Sequence, residues 1–278
     1  MKSIGILYIA TGQYTVFWKA FYQTFEQYFL PNMERHYYVF TDAEKLYGEE
    51  ENDRIHRIYL KAEPWPLPTL LKYHRFLEIE EELRKRDYLY QSNGPIICEQ
   101  EVKEEEFLPR QALGEKLMFT LHPGYYQKKS RLYPYERNTK STAYVPYNCG
   151  KTYVFGAMNG GTSEAYIGFM KELDKNIVAD LNQGIIAKYH DESHVNHKVC
   201  QLEKYRLLPF AFGYPDGISV PGERIISCVN KSKFFDVDSF KGQRKDGKEN
   251  SKIPVLWEKH IASRCKLLFD LIRNKKVN

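Results

Sequence analysis

The sequence predicts an α/β fold built on a largely parallel, doubly wound sheet, and three observations carry that expectation. Apolar, strand-like runs alternate with stretches of helical periodicity through the first third of the chain. The early runs end in small or polar residues, Ala10-Thr11-Gly12, Thr41-Asp42 and Ser92-Asn93, the places where such sheets bind ligands beyond their C-terminal strand ends. The length, 278 residues with 42% hydrophobic and 28% charged, suits one large domain or two closely packed ones.

Taken in order, residues 3–10 (SIGILYIA) form a continuous apolar run, expected as a buried strand. Residues 14–29 place Val16, Phe17, Ala20, Phe21, Phe25 and Phe29 at helical spacing. HYYVF at 36–40 reads as a second strand and 55–60 as a third. A charged amphipathic helix is expected over 70–86, then a fourth strand at 87–91 stopped by Ser92-Asn93-Gly94-Pro95. From about Met118 the texture changes to loops and short strands, expected at 119–126, 142–146 and 152–158. Helices follow at 163–173 and 176–189, the second running straight into His190-Asp191-Glu192-Ser193-His194. A polar loop is expected at 241–251, and Pro254 opens a last helix reaching about Arg273.

Charge is unevenly placed. The net charge is +5, yet Glu99, Glu101, Glu104, Glu105 and Glu106 form an acidic patch, while the last fifth of the chain, from Lys231 to Lys276, is basic. That asymmetry calls for an anionic partner at the C-terminal end, whether phosphate, nucleic acid or membrane surface, without choosing among them. The basic and apolar positions of the last helix also fit peripheral contact with a membrane, or plain packing on the core. Tyrosine is abundant, 22 residues, and serves either a core or the flat faces that hold sugar rings. Five widely spaced cysteines give neither a disulfide framework nor a paired metal clip. No apolar run is long enough for a signal peptide or a membrane span, and a reducing cytoplasm is the expected compartment.

The densest polar cluster is His190-Asp191-Glu192-Ser193-His194-Val195-Asn196-His197. Adjacent carboxylates flanked by imidazoles can supply a nucleophile, an ion-pair stabiliser and hydrogen bonds to sugar hydroxyls. The spacing of His190 and His194 also fits zinc on one helix face, although a zincin needs Glu where Asp191 stands. A structural polar cluster is the third alternative. Asn93-Gly94-Pro95 lacks the charged oxygens that Mg²⁺ or Mn²⁺ require, so a diphosphate at this strand end needs another counter-charge, for which Lys231 and Lys233 are the candidates. The Gly-rich stretch 152–162 reads equally as a ligand-approaching backbone or a turn. Leu121-His122-Pro123-Gly124-Tyr125-Tyr126 joins a turn to side chains suited to a sugar.

Taken together, HYYVFTD, DYLYQSN, LHPGYY, PYER, AYVP, the Gly-Gly segment and HDESHVN resemble, in this order, the catalytic domain of glycosyltransferase family 6. The resemblance covers about residues 4–231 and is nearest to soluble, metal-independent bacterial members. It implies a single GT-A domain over 1–233, with a Rossmann-like nucleotide-binding half (1–95) and a smaller donor-sugar and acceptor half (96–233), followed by a basic loop and helix (234–278). It implies retaining α-1,3 transfer of GalNAc or Gal from a UDP-sugar to a β-galactoside, a fucosylated one being the first candidate, with no metal cofactor and no nucleic-acid partner. The resemblance makes Glu192 the catalytic carboxylate. It assigns Ile9, Ala10, Thr11, Tyr14, Asn93, Phe155, Gly156, Ala157, Asp191 and Lys231 to the donor, and His122, Tyr189, His190 and His194 to the acceptor. A non-catalytic UDP-sugar or glycan binder and a zinc hydrolase are the alternatives.

Overall fold

The computed structural model describes residues 1–92, 94–217 and 221–237. Asn93, the 241–251 loop and the 254–273 helix lie outside the described residues. Strand β1 (Ser3–Ala10) leads through a 3₁₀ turn into helix α1 (Trp18–Tyr28), followed by β2 (Glu34–Thr41) and β3 (Ile55–Tyr59). Three short helices, α2 (Leu67–Leu70), α3 (Lys72–Leu77) and α4 (Glu80–Leu83), replace the single helix expected over 70–86. The backbone leaves helical geometry at Leu71 and Ile79, and the bent segment directs Leu67, Leu70, Tyr73, Phe76 and Leu83 into one core.

Next come β4 (Tyr88–Ser92), β5 (Ile96–Cys98), the single turn α5 (Glu104–Phe107) and β6 (Leu117–Leu121). Strand β7 (Val154–Thr162) takes up the Gly-rich stretch, which is therefore a strand and not a turn. Its glycines are required by crowding: a Cβ on Gly160 would lie 2.3 Å from the Leu89 carbonyl oxygen, and one on Gly161 2.4 Å from that of Lys116. Helix α6 (Ser163–Asn182) is one element where two were expected. Leu173, Ile177 and Leu181 continue the buried stripe of Tyr166, Ile167 and Met170 without a break. The helix stops at Gln183-Gly184, where Gly184 has φ +68°, and does not run into the acidic motif. That motif begins a separate helix, α7 (Asp191–Val199), before β8 (Arg206–Leu208), β9 (Tyr214–Pro215) and β10 (Ile226–Cys228).

The expected strand at 142–146 is absent. Although Ser141, Ala143 and Val145 alternate into the interior, the segment is pinned to α6, with the Thr142 backbone N–H donating to Asp180 (2.7 Å) and the Thr142 hydroxyl to the Asn176 carbonyl (3.0 Å).

The main sheet has seven strands in the order β3-β2-β1-β4-β7-β6-β8. Its first four strands are parallel, whereas β7 runs antiparallel to both β4 and β6. With β8 parallel to β6, six of the seven strands share one direction and β7 alone is reversed, so the sheet is largely parallel, as expected, with one antiparallel strand inside it. Strand β1 is buried on both faces, Ile4, Ile6 and Tyr8 packing on α1 and Leu7 on the side of α3 and α6. The order reverses beside β1, which sets a crevice at the C-terminal ends of β1 and β4. No helix of the described residues is long and apolar enough to cross a membrane.

Candidate active site

The crevice holds a cavity of about 660 Å³. Ile9, Thr11 and Tyr14 line it from the end of β1, Trp65, Pro68, Thr69 and Lys72 from α2–α3, and Phe155, Gly156 and Ala157 from β7. Tyr189, His190, Asp191 and Glu192 face it from the start of α7, and Asp216 and Cys228–Lys231 close the other end. Strand periodicity explains the one β1 exception: Ile9 and Thr11 face the cavity, and Ala10 between them is fully buried on the opposite side.

The two acids are held in different ways. Asp191 is 4% exposed and ion-paired with the ammonium of Lys72, itself 3% exposed. Lys72 also donates to the Gly156 carbonyl (3.0 Å), which accepts from Gln91 and Asn159 as well, each at 3.0 Å. The same Gly156 offers its N–H to Glu192 Oε2 at 2.9 Å, and the Tyr153 hydroxyl donates to Oε1 at 2.9 Å. A Cβ on Gly156 would stand 2.7 Å from that of Glu192, so this approach needs glycine.

Burial raises the Glu192 carboxyl to a pKa of about 7, against the lowering effect of its two donors. If the carboxylate is the working form, kcat/KM is expected to fall as pH drops through about 7. Tyr153→Phe removes a donor that favours the anion, and should move this acidic limb up by roughly half to one pH unit. A pH profile of the variant that superimposes on the parent's would refute the arrangement.

Asn196 and Ser193 act as scaffold, while His190 faces the cavity. Asn196 accepts from the Val154 N–H (2.8 Å) and donates to the carbonyls of Val154 and Glu192, both at 2.9 Å, locking α7 onto β7. The Ser193 hydroxyl accepts from the Tyr189 N–H at 3.0 Å. His190 precedes the helix with φ 52° and ψ −129°, a conformation strained for a residue with a Cβ, and its ring meets Trp65 at 5.1 Å.

His194 is not brought to the cavity. Two residues on from Glu192 it points about 200° around the helix, where it is 1% exposed, faces Asp180 (3.7 Å) and is held neutral by burial, its pKa lowered to about 4. An acceptor contact from it is therefore excluded here. The zinc alternative fails on the same geometry, since His190 and His194 share no helix face, and no group of three or more His, Cys, Asp or Glu among the described residues is placed to hold a metal.

His122 stands outside the cavity lining, its ring 5.2 Å from that of Phe155. Burial lowers its pKa to about 4, and Nδ1 accepts from the Gly124 N–H (3.0 Å), leaving Nε2–H as a donor. At the opposite end Lys231 donates to the Tyr14 hydroxyl at 3.2 Å, and burial lowers its pKa. Glu99 and Glu101 are exposed and do not line the cavity.

Sequence patterning did not single out Lys72, Tyr153 or Trp65. Lys72 carried a readable sign, a lysine four residues before Phe76 within the apolar Leu70-Leu71-Lys72-Tyr73 run, on the face that should be buried.

A mixed seven-stranded sheet with this cavity at its switch point is the GT-A type of glycosyltransferase fold. The family model described as Glycosyltransferase family 6 matches residues 87–218. The O-antigen biosynthesis glycosyltransferase WbnI of Escherichia coli is 33% identical over 213 residues, 77% of this chain and 88% of that protein. The rat histo-blood group ABO system transferase 2 is 29% identical over 195 residues, 70% of this chain and 58% of its own length. The chicken globoside alpha-1,3-N-acetylgalactosaminyltransferase 1 is 28% identical over 239 residues, covering 83% and 68%. The chain belongs to glycosyltransferase family 6.

Proposed function

We propose that the chain is a retaining α-1,3-glycosyltransferase that moves GalNAc or Gal from UDP to a β-galactoside, a fucosylated one being the first choice, without a metal ion. The observation that carries this reading is Glu192, presented to the cavity by Tyr153 and the Gly156 N–H with both oxygens oriented. In the reaction the bond from the anomeric carbon to the diphosphate oxygen breaks, the bond to the acceptor oxygen forms, and the acceptor's hydroxyl proton leaves with the phosphate. Positive charge develops on the sugar ring, and a carboxylate in a water-poor crevice stabilises it by Coulomb attraction, as an ion pair or a covalent adduct.

The nucleoside lies against Ile9, Thr11 and Tyr14, and Lys231 neutralises the departing diphosphate. Asp191 receives the donor sugar's hydroxyls, while Phe155 and Ala157 shape the room for its 2-substituent. His122 and Tyr189 meet the acceptor. Metal independence is supported by the charge arrangement: of the acids lining the cavity, Asp191 is already paired with Lys72 and Asp216 with Lys233 (2.8 Å).

The test is a product screen of UDP-GalNAc and UDP-Gal against lactose and 2′-fucosyllactose, with EDTA present. Transfer to a galactoside at the same rate with and without EDTA is expected. UDP release that requires added Mn²⁺ would defeat the metal-free reading, and an absence of transfer to any galactoside would defeat the acceptor assignment.

A further inference from the structure

Three tyrosines stand beside Glu192, of which Tyr189 lines the cavity, and Tyr125 and Tyr189 each carry a cation. The Tyr153 hydroxyl holds Glu192, and the Tyr125 ring lies 4.9 Å from that of Tyr153. The Tyr189 carbonyl accepts from the Glu192 N–H at 3.0 Å, and Tyr189 is near enough to Tyr125 to raise that hydroxyl's pKa beyond the effect of burial. The ammonium of Lys128 sits 5.0 Å from the centre of the Tyr125 ring and that of Lys188 5.6 Å from the Tyr189 ring. Lys129 and Arg131 follow on the same exposed loop.

This is a one-signed surface. Across residues 121–151 there are six basic residues and one acid, Glu136. That acid is 7% exposed and turned inward, accepting from the backbone N–H groups of Asn138 (2.7 Å) and Lys188 (2.6 Å). The ion pairs made by lysines among the described residues belong to Lys2, Lys45, Lys72, Lys85, Lys171, Lys198 and Lys233, and none involves Lys128, Lys129 or Lys188. Like charges gathered without counter-charges repel one another, a cost offset when an anion binds among them. A neutral glycan gains nothing from them.

Resting on the proposed transfer to a galactoside, we infer that the acceptor carries an anionic group, a phosphate or diphosphate ester on the aglycone side of its galactoside, received by Lys128, Lys129, Arg131 and Lys188. The tyrosines hold the sugar rings and the cations beyond them hold the ester.

The test compares lactose with lactose 1-phosphate as acceptors for the full chain. At low ionic strength KM for the phosphate ester is expected to be about tenfold lower, the sum of a few exposed charge contacts. The gap should close in about 0.5 M NaCl, where screening is nearly complete beyond a few ångströms. In the Lys128→Gln/Lys188→Gln variant the ratio of the two KM values should approach one. Equal KM values in the parent at low salt would overturn the inference and leave the galactoside reading intact. If neither compound is glycosylated, the galactoside reading fails, and fluorescence titration with both decides the anion claim, equal affinities overturning it. A lactosyl lipid used faster only when its phosphatidylcholine vesicles contain phosphatidylglycerol, with no effect of the soluble ester, would assign the patch to a bilayer and also overturn it.

Discussion

Glu192→Gln should abolish transfer, by about 10³-fold or more in kcat, while UDP still binds. The substitution preserves shape: the amide oxygen can accept from the Gly156 N–H and the amide nitrogen can donate to the Tyr153 hydroxyl. What is lost is the charge that faces the reacting carbon. Stability provides an independent readout with a definite sign. The folded carboxyl titrates near 7 against 4.5 when unperturbed, so the native state binds the proton more tightly than the unfolded chain. Glu192 therefore weakens the fold progressively as pH rises from about 4.5 through about 7, and the penalty is complete above that. The Gln variant should be more stable than the parent by about 2–3 kcal/mol at pH 8 and little changed at pH 5. Thermal denaturation at the two pH values checks it. Full activity of the variant would remove Glu192 from the mechanism, and an equal stability change at both pH values would contradict its buried, high-pKa state.

Lys72→Met is expected to have the largest effect on folding, a loss of about 3–5 kcal/mol, because it strands the Asp191 carboxylate in the interior without its counter-charge. It also releases one of three donors from the Gly156 carbonyl, and the peptide of Gly156 positions Glu192. The Lys72→Met/Asp191→Asn double variant removes the stranded charge and should recover much of the stability, though not the activity. Urea denaturation of the two variants is the measurement. A single variant as stable as the parent would show that the pair contributes nothing, and a double variant no better than the single one would show that the loss comes from packing alone.

Much of this was legible from residue order. The apolar run of β1, the helical spacing of α1 and the β1 end at Thr11, which lines the cavity, all follow from local periodicity, whereas Thr41-Asp42 and Ser92 do not reach it. So does the density of the His190–His197 cluster, because two adjacent acids opening a helix stand out against any background.

Misreadings arose where local pattern is silent about partners. Alternating burial at 141–145 looks the same in a strand and in a segment hydrogen-bonded along a helix. The strand expected at 152–158 is present as β7, but why it carries glycines is open until the neighbouring strands are seen 2.3–2.4 Å from where the Cβ atoms of Gly160 and Gly161 would be. His194 looks equivalent to His190 in the string, but the start of α7 between them sends one to the cavity and the other to Asp180.

By itself the sequence determined which segments are apolar, where the strands end and that two acids sit side by side, because these depend on residue type and near-neighbour spacing. Only the tertiary structure decided that Lys72, 119 residues before Asp191 in the chain, neutralises one acid, and that burial, opposed by the Tyr153 and Gly156 donors, raises the other toward neutrality. The protonation of a buried carboxylate is set by the charges, donors and solvent around it in space, and chain order does not record them.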